Sequence, residues 1–322
     1  MLRIAILDDY HDVALKMADW SVLRDRCEIT VFNHAFRDED EAAGALAPFD
    51  ILCTMRERTR MPASLIARLP ALKLITITGA RNRTLDLVAS AARGIVVSGT
   101  GRRGHGHLAT PELAWGLILS LARHIPHEAA RMREGGWQTT MGHVLAGKTL
   151  GLMGIGRLGS RMVPVARAFD MDVIAWSPNL TPERAAASGA VHVAKDELLR
   201  RSDVLSLHLV LAETTRGIIG ASELALMKPS AYLINTARAP LVDEAALTDV
   251  LRSGAIAGAG LDVHYREPMP DDDPFRTLPN VVLTPHLGFT VEELFRVFYE
   301  DTVENIAAFL DGAPIRLLTP GQ

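Results

Sequence analysis

The sequence predicts an α/β protein of two domains with parallel sheets, and three observations predict it. The chain has 322 residues, which allows two domains at roughly 150 residues each. Short apolar runs alternate with helix-period stretches along most of it, as in βαβ units whose sheet is covered on both faces. A Gly-x-Gly-x-x-Gly run at 154–159 follows one apolar run and precedes an amphipathic stretch, the order expected of a doubly wound sheet that binds phosphate.

Strands are expected at 2–7, 50–54, 73–77, 95–98, 149–154, 172–176, 203–207, 231–235, 258–261 and 281–283. Ten strands exceed one ordinary sheet, so they divide. Five glycines crowd into 94–106, which reads as the junction between domains. Thr110 then serves as N-cap and Pro111 as the first residue of an apolar helix. A second set of βαβ units runs from about 147 to 285, with Pro164 expected to kink its first helix or to cost it a hydrogen bond. The apolar helical stretch after 290 is too short to be a domain and is expected to return to the first. The resulting division is 1–109 with 290–322, and 110–289.

Lys plus Arg number 34 and Asp plus Glu 38, a formal charge of −4, so no basic surface argues for nucleic acid or a membrane as partner. The opening residues MLRIAILDD are too short and too charged for a secretory signal, and no apolar run is long enough for a membrane helix. Cys27 and Cys53 lack any ligand spacing, so neither a metal site nor a disulfide is expected and a reducing, cytoplasmic location is.

In the glycine run, Gly154 permits the tight turn, Gly156 lets backbone approach a pyrophosphate, and Gly159 lets helix and strand pack closely. The second strand of such a unit usually ends in an acid that holds the adenosine ribose. Here it ends in Ser177-Pro178-Asn179. Neither an acid nor an adjacent arginine is present, Arg184 being the nearest cation, which favours NAD and leaves NADP open.

Three further segments follow buried strands: Asn235-Thr236-Ala237-Arg238, Leu261 to Pro268, and Thr284-Pro285-His286. In an open parallel sheet these ends face one crevice. Reduction of a 2-oxo acid needs a cation for the carboxylate and carbonyl, a task suited to the planar fork of Arg238. It also needs a proton donor that titrates near neutrality, which His286 supplies. Glu267 would orient that imidazole and favour its protonated form.

The segments LAGKTLGLMGIGRLG, SDVLSLHLVLAETTRGIIG, MKPSAYLINTARAPLVDEAAL, GAGLDVHYREP and LPNVVLTPHLG together resemble the D-isomer-specific 2-hydroxyacid dehydrogenase family. The resemblance implies two Rossmann-like domains, a discontinuous substrate domain and a doubly wound cofactor domain through which the chain forms a homodimer. It implies Arg238, Glu267 and His286 as catalytic residues and Asp262 beside the nicotinamide. It places Arg157, Leu158, Ser177, His208, Thr215, Thr236, Ala237 and Gly288 at other cofactor contacts. On the substrate side it points to Arg56, Gly79, Ala80, Arg81 and again Arg238. The family usually has Gly after the catalytic Arg and a second Gly two residues after Gly79, where this chain has Ala239-Pro240 and Arg81.

Two other readings share this architecture. An NAD(H)-binding corepressor would carry a long polar tail or docking extension, which is not seen. Formate- or phosphite-type oxidation is the second, and the formate branch pairs Gln with its histidine where this chain has Glu267.

Overall fold

In the computed structural model, which describes residues 1–101 and 103–321, the chain forms two compact units, 1–106 with 291–322 and 107–290. Arg102, in the expected junction, lies outside the described residues. The unit boundaries stand three residues before and one residue after the expected ones.

The first unit holds β1 (Leu2–Ile6), β2 (Cys27–Val31), β3 (Ile51–Thr54), β4 (Leu74–Ile77) and β5 (Val96–Ser98) in the order β2-β1-β3-β4-β5. The second holds β6 (Thr149–Met153), β7 (Asp172–Trp176), β8 (Val191–His192), β9 (Val204–Leu207), β10 (Tyr232–Asn235), β11 (Gly258–Leu261) and β12 (Val281–Leu283). Their order is β12-β11-β10-β9-β6-β7-β8. Every pairing in both sheets is parallel. Strand order reverses between β1 and β3 in one unit and between β6 and β9 in the other, the points where such sheets open a crevice at their carboxyl ends.

The central strands β3, β4, β9 and β10 are buried at every residue. That is why they read as unbroken apolar runs. Sequence analysis did not anticipate β2 and β8. Both lie at sheet edges, β2 with a half-exposed CEITV pattern and β8 with two residues, so neither produces an apolar run.

Thr110 is not an N-cap. The helix runs Ala109–Ala122 from a 3-10 turn at Gly106–Leu108, and the Thr110 hydroxyl donates instead to the Gly288 carbonyl at 2.5 Å. The helix Gly159–Ala168 continues through Pro164, although that residue has no N–H for the Ser160 carbonyl.

The helix Glu292–Leu310 belongs to the first unit and buries Phe295, Phe298 and Tyr299 there. The tail after it lies along β5: Leu318 N donates to Val97 O and Gly99 N to Arg316 O. The five-stranded sheet thus has one edge covered, a usual protection against edge pairing. Among the described residues, no helix is long and apolar enough to cross a membrane.

Candidate active site

The glycine turn at the end of β6 is fixed by what surrounds it. Gly154 has φ of +99°, and a Cβ there would stand 2.8 Å from the backbone carbon of His208. A Cβ on Gly159 would come within 2.1 Å of the Gly154 carbonyl oxygen. Both positions therefore exclude a side chain for reasons internal to the fold. Gly156 differs, since nothing lies within 4 Å of where its Cβ would be. The space above it is open, as close approach of a pyrophosphate to backbone requires.

Leu158 stands just before the helix Gly159–Ala168 without a side-chain cap, and Arg157 beside it is exposed. The positive end of the helix dipole is thus presented to an anion. Ser177 lies half-buried at the end of β7, while Arg184, the nearby cation, has its guanidinium on the Asn179 carbonyl at 2.8 Å.

His208 follows β9, and its Nε2 is 2.9 Å from the Ser206 hydroxyl. Burial pushes its pKa down to about 4, so the ring is neutral in the folded protein. An unfolded histidine titrates near 6.5, so below that pH the unfolded state binds one more proton and stability falls, by up to about 1.4 kcal/mol per pH unit. In urea titrations between pH 7 and pH 4.5, His208→Gln is expected to lose this slope relative to the unmodified chain; parallel curves would contradict it.

Thr215 is used by its own loop. Its hydroxyl accepts from Ala212 N at 2.8 Å and donates to Val210 O at 2.7 Å. Thr236 is 7% exposed and its hydroxyl has no hydrogen-bond partner among the described residues. Such an orphaned buried group fits a site built for a polar ligand.

Asn235, which sequence analysis noted but did not assign, shapes the loop after β10. Its side chain accepts from Ala237 N at 3.1 Å and donates to Arg238 O at 3.0 Å. Arg238 is extended, with Nη1 on the Ala237 carbonyl at 2.7 Å. Ala239–Leu241, where the family usually has glycine, forms one 3-10 turn.

Asp262 after β11 is fully buried. Its carboxylate accepts from the Thr284 hydroxyl at 2.6 Å and from Leu287 N and Gly288 N at 2.7 and 2.8 Å. Desolvation raises its pKa, opposed by these three bonds. This carboxylate, which the resemblance puts beside the nicotinamide, pins the 284–288 loop.

That loop carries His286 at φ of +55°. His286 Nδ1 lies 2.6 Å from Glu267 Oε2, and Glu267 Oε1 accepts from His264 N at 2.9 Å. Burial pushes the Glu267 carboxyl upward, but the His286 hydrogen bond and charge and the His264 N–H outweigh it and hold the pKa below the ordinary value. Glu267 is thus a carboxylate at neutral pH. Phe289 sets its ring edge-on to His286 with centroids 5.5 Å apart.

In the first unit, the ends of β3 and β4 bring Arg56 and Gly79 together. Arg56 Nη1 donates to Thr78 O at 3.2 Å and lies where a Cβ on Gly79 would be, 2.2 Å from it. Ala80 and Arg81 beyond them are exposed.

A sequence model described as "D-isomer specific 2-hydroxyacid dehydrogenase, NAD binding domain" matches residues 115–288. The chain belongs to the D-isomer specific 2-hydroxyacid dehydrogenase family. It is 38% identical over 262 residues to a glyoxylate reductase of Thermococcus litoralis, covering 79% of this chain and 78% of that protein. To a D-3-phosphoglycerate dehydrogenase of Methanocaldococcus jannaschii it is 35% identical over 316 residues, 97% of this chain but 58% of that protein. The chain thus spans little more than half the length of that relative. The crystal structure of a putative D-3-phosphoglycerate dehydrogenase from Ralstonia solanacearum superposes with a TM-score of 0.92 at 35% identity, covering 99% of this chain and 97% of that one. The unit 107–290 is accordingly the family's NAD-binding domain, and NAD(H) is its cofactor. The open face of Gly156 and the orphaned Thr236 hydroxyl fit that group.

Proposed function

We propose that this 2-hydroxyacid dehydrogenase interconverts a 2-oxo acid and the corresponding D-2-hydroxy acid. The observation that carries the reading is the His286–Glu267 pair at 2.6 Å. With Nδ1 engaged by a carboxylate, Nε2 is the ring atom left to exchange a proton with substrate. When bound, the nicotinamide gives a hydride to C2 of the oxo acid or takes it from the hydroxy acid. In reduction, His286 delivers the proton to the carbonyl oxygen as C2 accepts the hydride; in oxidation it removes the hydroxyl proton. Glu267 balances the imidazolium charge and fixes the ring plane. Arg238 holds the substrate carboxylate and polarises the carbonyl, while Arg56, Gly79, Ala80 and Arg81 form the substrate contacts of the other unit.

The test is spectrophotometric: glyoxylate, hydroxypyruvate, pyruvate, phenylpyruvate and 2-oxoisocaproate, each with NADH and with NADPH. Oxidation of cofactor by at least one acid is expected; none by any would contradict the reading.

Ser177 supports use of NADH with tolerance of NADPH, because no carboxylate there repels a 2′-phosphate. Ser177→Asp is expected to move the kcat/KM ratio further toward NADH at low salt. An unmoved ratio would put Ser177 outside the ribose pocket.

We further propose that the active form is a homodimer joined through the NAD-binding domain. Its segment 137–144 exposes Trp137 at 75%, Met141 at 92% and Val144 at 72%, an apolar surface that a second copy would cover. Cys27 and Cys53 are buried and unpaired, which fits the cytoplasm.

A further inference from the structure

The loops that follow β11 and β12 are joined around the Glu267–His286 pair by a closed circuit of four hydrogen bonds, and His264 makes two of them. Its backbone N–H donates to Glu267 Oε1 at 2.9 Å, and its Nε2 lies 3.0 Å from the Thr284 carbonyl oxygen. The same carbonyl accepts from His286 N at 3.0 Å, and His286 Nδ1 returns to Glu267 Oε2 at 2.6 Å. A carbonyl oxygen only accepts, so the neutral His264 ring carries its proton on Nε2.

The other ties in this region do a different task. Asp262 takes the Thr284 hydroxyl and the N–H groups of Leu287 and Gly288, which braces His286 along its own loop. As an acceptor it cannot bond the Glu267 carboxylate. Tyr265 donates to the Val242 carbonyl at 3.0 Å and stacks on Phe275 with centroids 6.3 Å apart, and neither partner belongs to the 284–288 loop. Asp262 therefore sets where His286 stands. The His264 ring sets how far the turn of Glu267 lies from it.

We propose that His264 is a positioning residue for proton transfer. By donating to Thr284 O, its ring keeps the Glu267 turn where one carboxylate oxygen meets His286 Nδ1. This rests on the dehydrogenase reading above and adds to it a residue that acts through the pair, as the supporting shell of a proton donor must. The charges acting on Glu267 are those of His286 and His264, and that of His286 acts also on the buried Asp262. A Glu267 carboxylate that drifts from the ring stabilises the imidazolium less, so reduction then loses its proton donor at lower pH.

The experiment compares His264→Leu, which fills much of the same space without a donor, with His264→Gln, whose side-chain amide can still donate to Thr284 O. Reduction of the best acid of the panel is followed against pH, with a deuterated cofactor to show that chemistry limits the rate. In His264→Leu, kcat is expected to fall about three- to tenfold with the KM for NADH unchanged, and the alkaline limb to move to lower pH by about half a unit. His264→Gln is expected to keep kcat within about twofold and the limb in place. A side chain that only filled space would leave the limb where it is. An unmoved limb in His264→Leu, or one that His264→Gln moves as far, overturns the proposal. Should no 2-oxo acid be reduced, the dehydrogenase reading fails, and His264 is then judged by NMR of the histidine-labelled protein, the His286 ring signals being those lost in His286→Asn. A His286 titration that moves down in His264→Leu and stays in His264→Gln supports the positioning role, and one unmoved in both, or moved alike in both, overturns it.

Discussion

His286→Asn is expected to lower turnover in 2-oxo acid reduction by about 100- to 10,000-fold, the usual contribution of a positioned general acid, with NADH affinity little changed. Asparagine is a better replacement than alanine because residue 286 has φ of +55°, a region asparagine tolerates and alanine strains to adopt. The loop stays held by Asp262, which bonds the Thr284 hydroxyl and the N–H groups of Leu287 and Gly288. The substitution therefore removes the general acid–base group and leaves the frame. Stopped-flow and steady-state rates with a deuterated cofactor check it. Near-normal turnover across the pH range would mean that the proton comes from elsewhere.

Gly159→Ala is expected to damage both stability and cofactor binding, whereas Gly156→Ala should damage binding alone. The methyl at 159 would stand 2.1 Å from the Gly154 carbonyl oxygen and 3.1 Å from its carbon. Backbone cannot swing aside as a flexible side chain would, so the turn must open, at an overpacking cost of about 1–3 kcal/mol. Opening it also moves the start of the helix Gly159–Ala168, and a weakening of NADH binding by about 10- to 100-fold follows from a similar energy. At Gly156 the methyl meets nothing in the protein and would occupy only the space a pyrophosphate needs. Urea unfolding of the apo-protein and NADH titration by fluorescence separate the two effects. Equal behaviour of the two variants would contradict the distinct roles assigned to these glycines.

Buried parallel strands were the legible part of this fold. Runs such as LITI and YLIN, buried at every residue, leave no polar face and announce themselves. The edge strands β2 and β8 do not, because one side of each is open to water. Thr110 shows a different limit. A hydroxyl before a proline reads as a cap, but a carbonyl distant in sequence, that of Gly288, claims it. In the site, the residues that could exchange charge, Arg238, Glu267 and His286, stood out by type and by position after strands. Those that hold them did not. Thr284 acts through a bond to Asp262, a partner only the fold brings near, and Asn235 acts through bonds within its own loop, to Ala237 N and Arg238 O, that depend on the turn the loop takes.

The central claim, hydride transfer to C2 of a 2-oxo acid with proton delivery by His286, is tested most directly by isotope tracing. NADH carrying deuterium at the transferable C4 position is incubated with the best acid of the panel, and the product is examined by chiral chromatography and mass spectrometry. The account predicts deuterium at C2 of a D-configured 2-hydroxy acid. Unlabelled product, or an L-configured one, would contradict it.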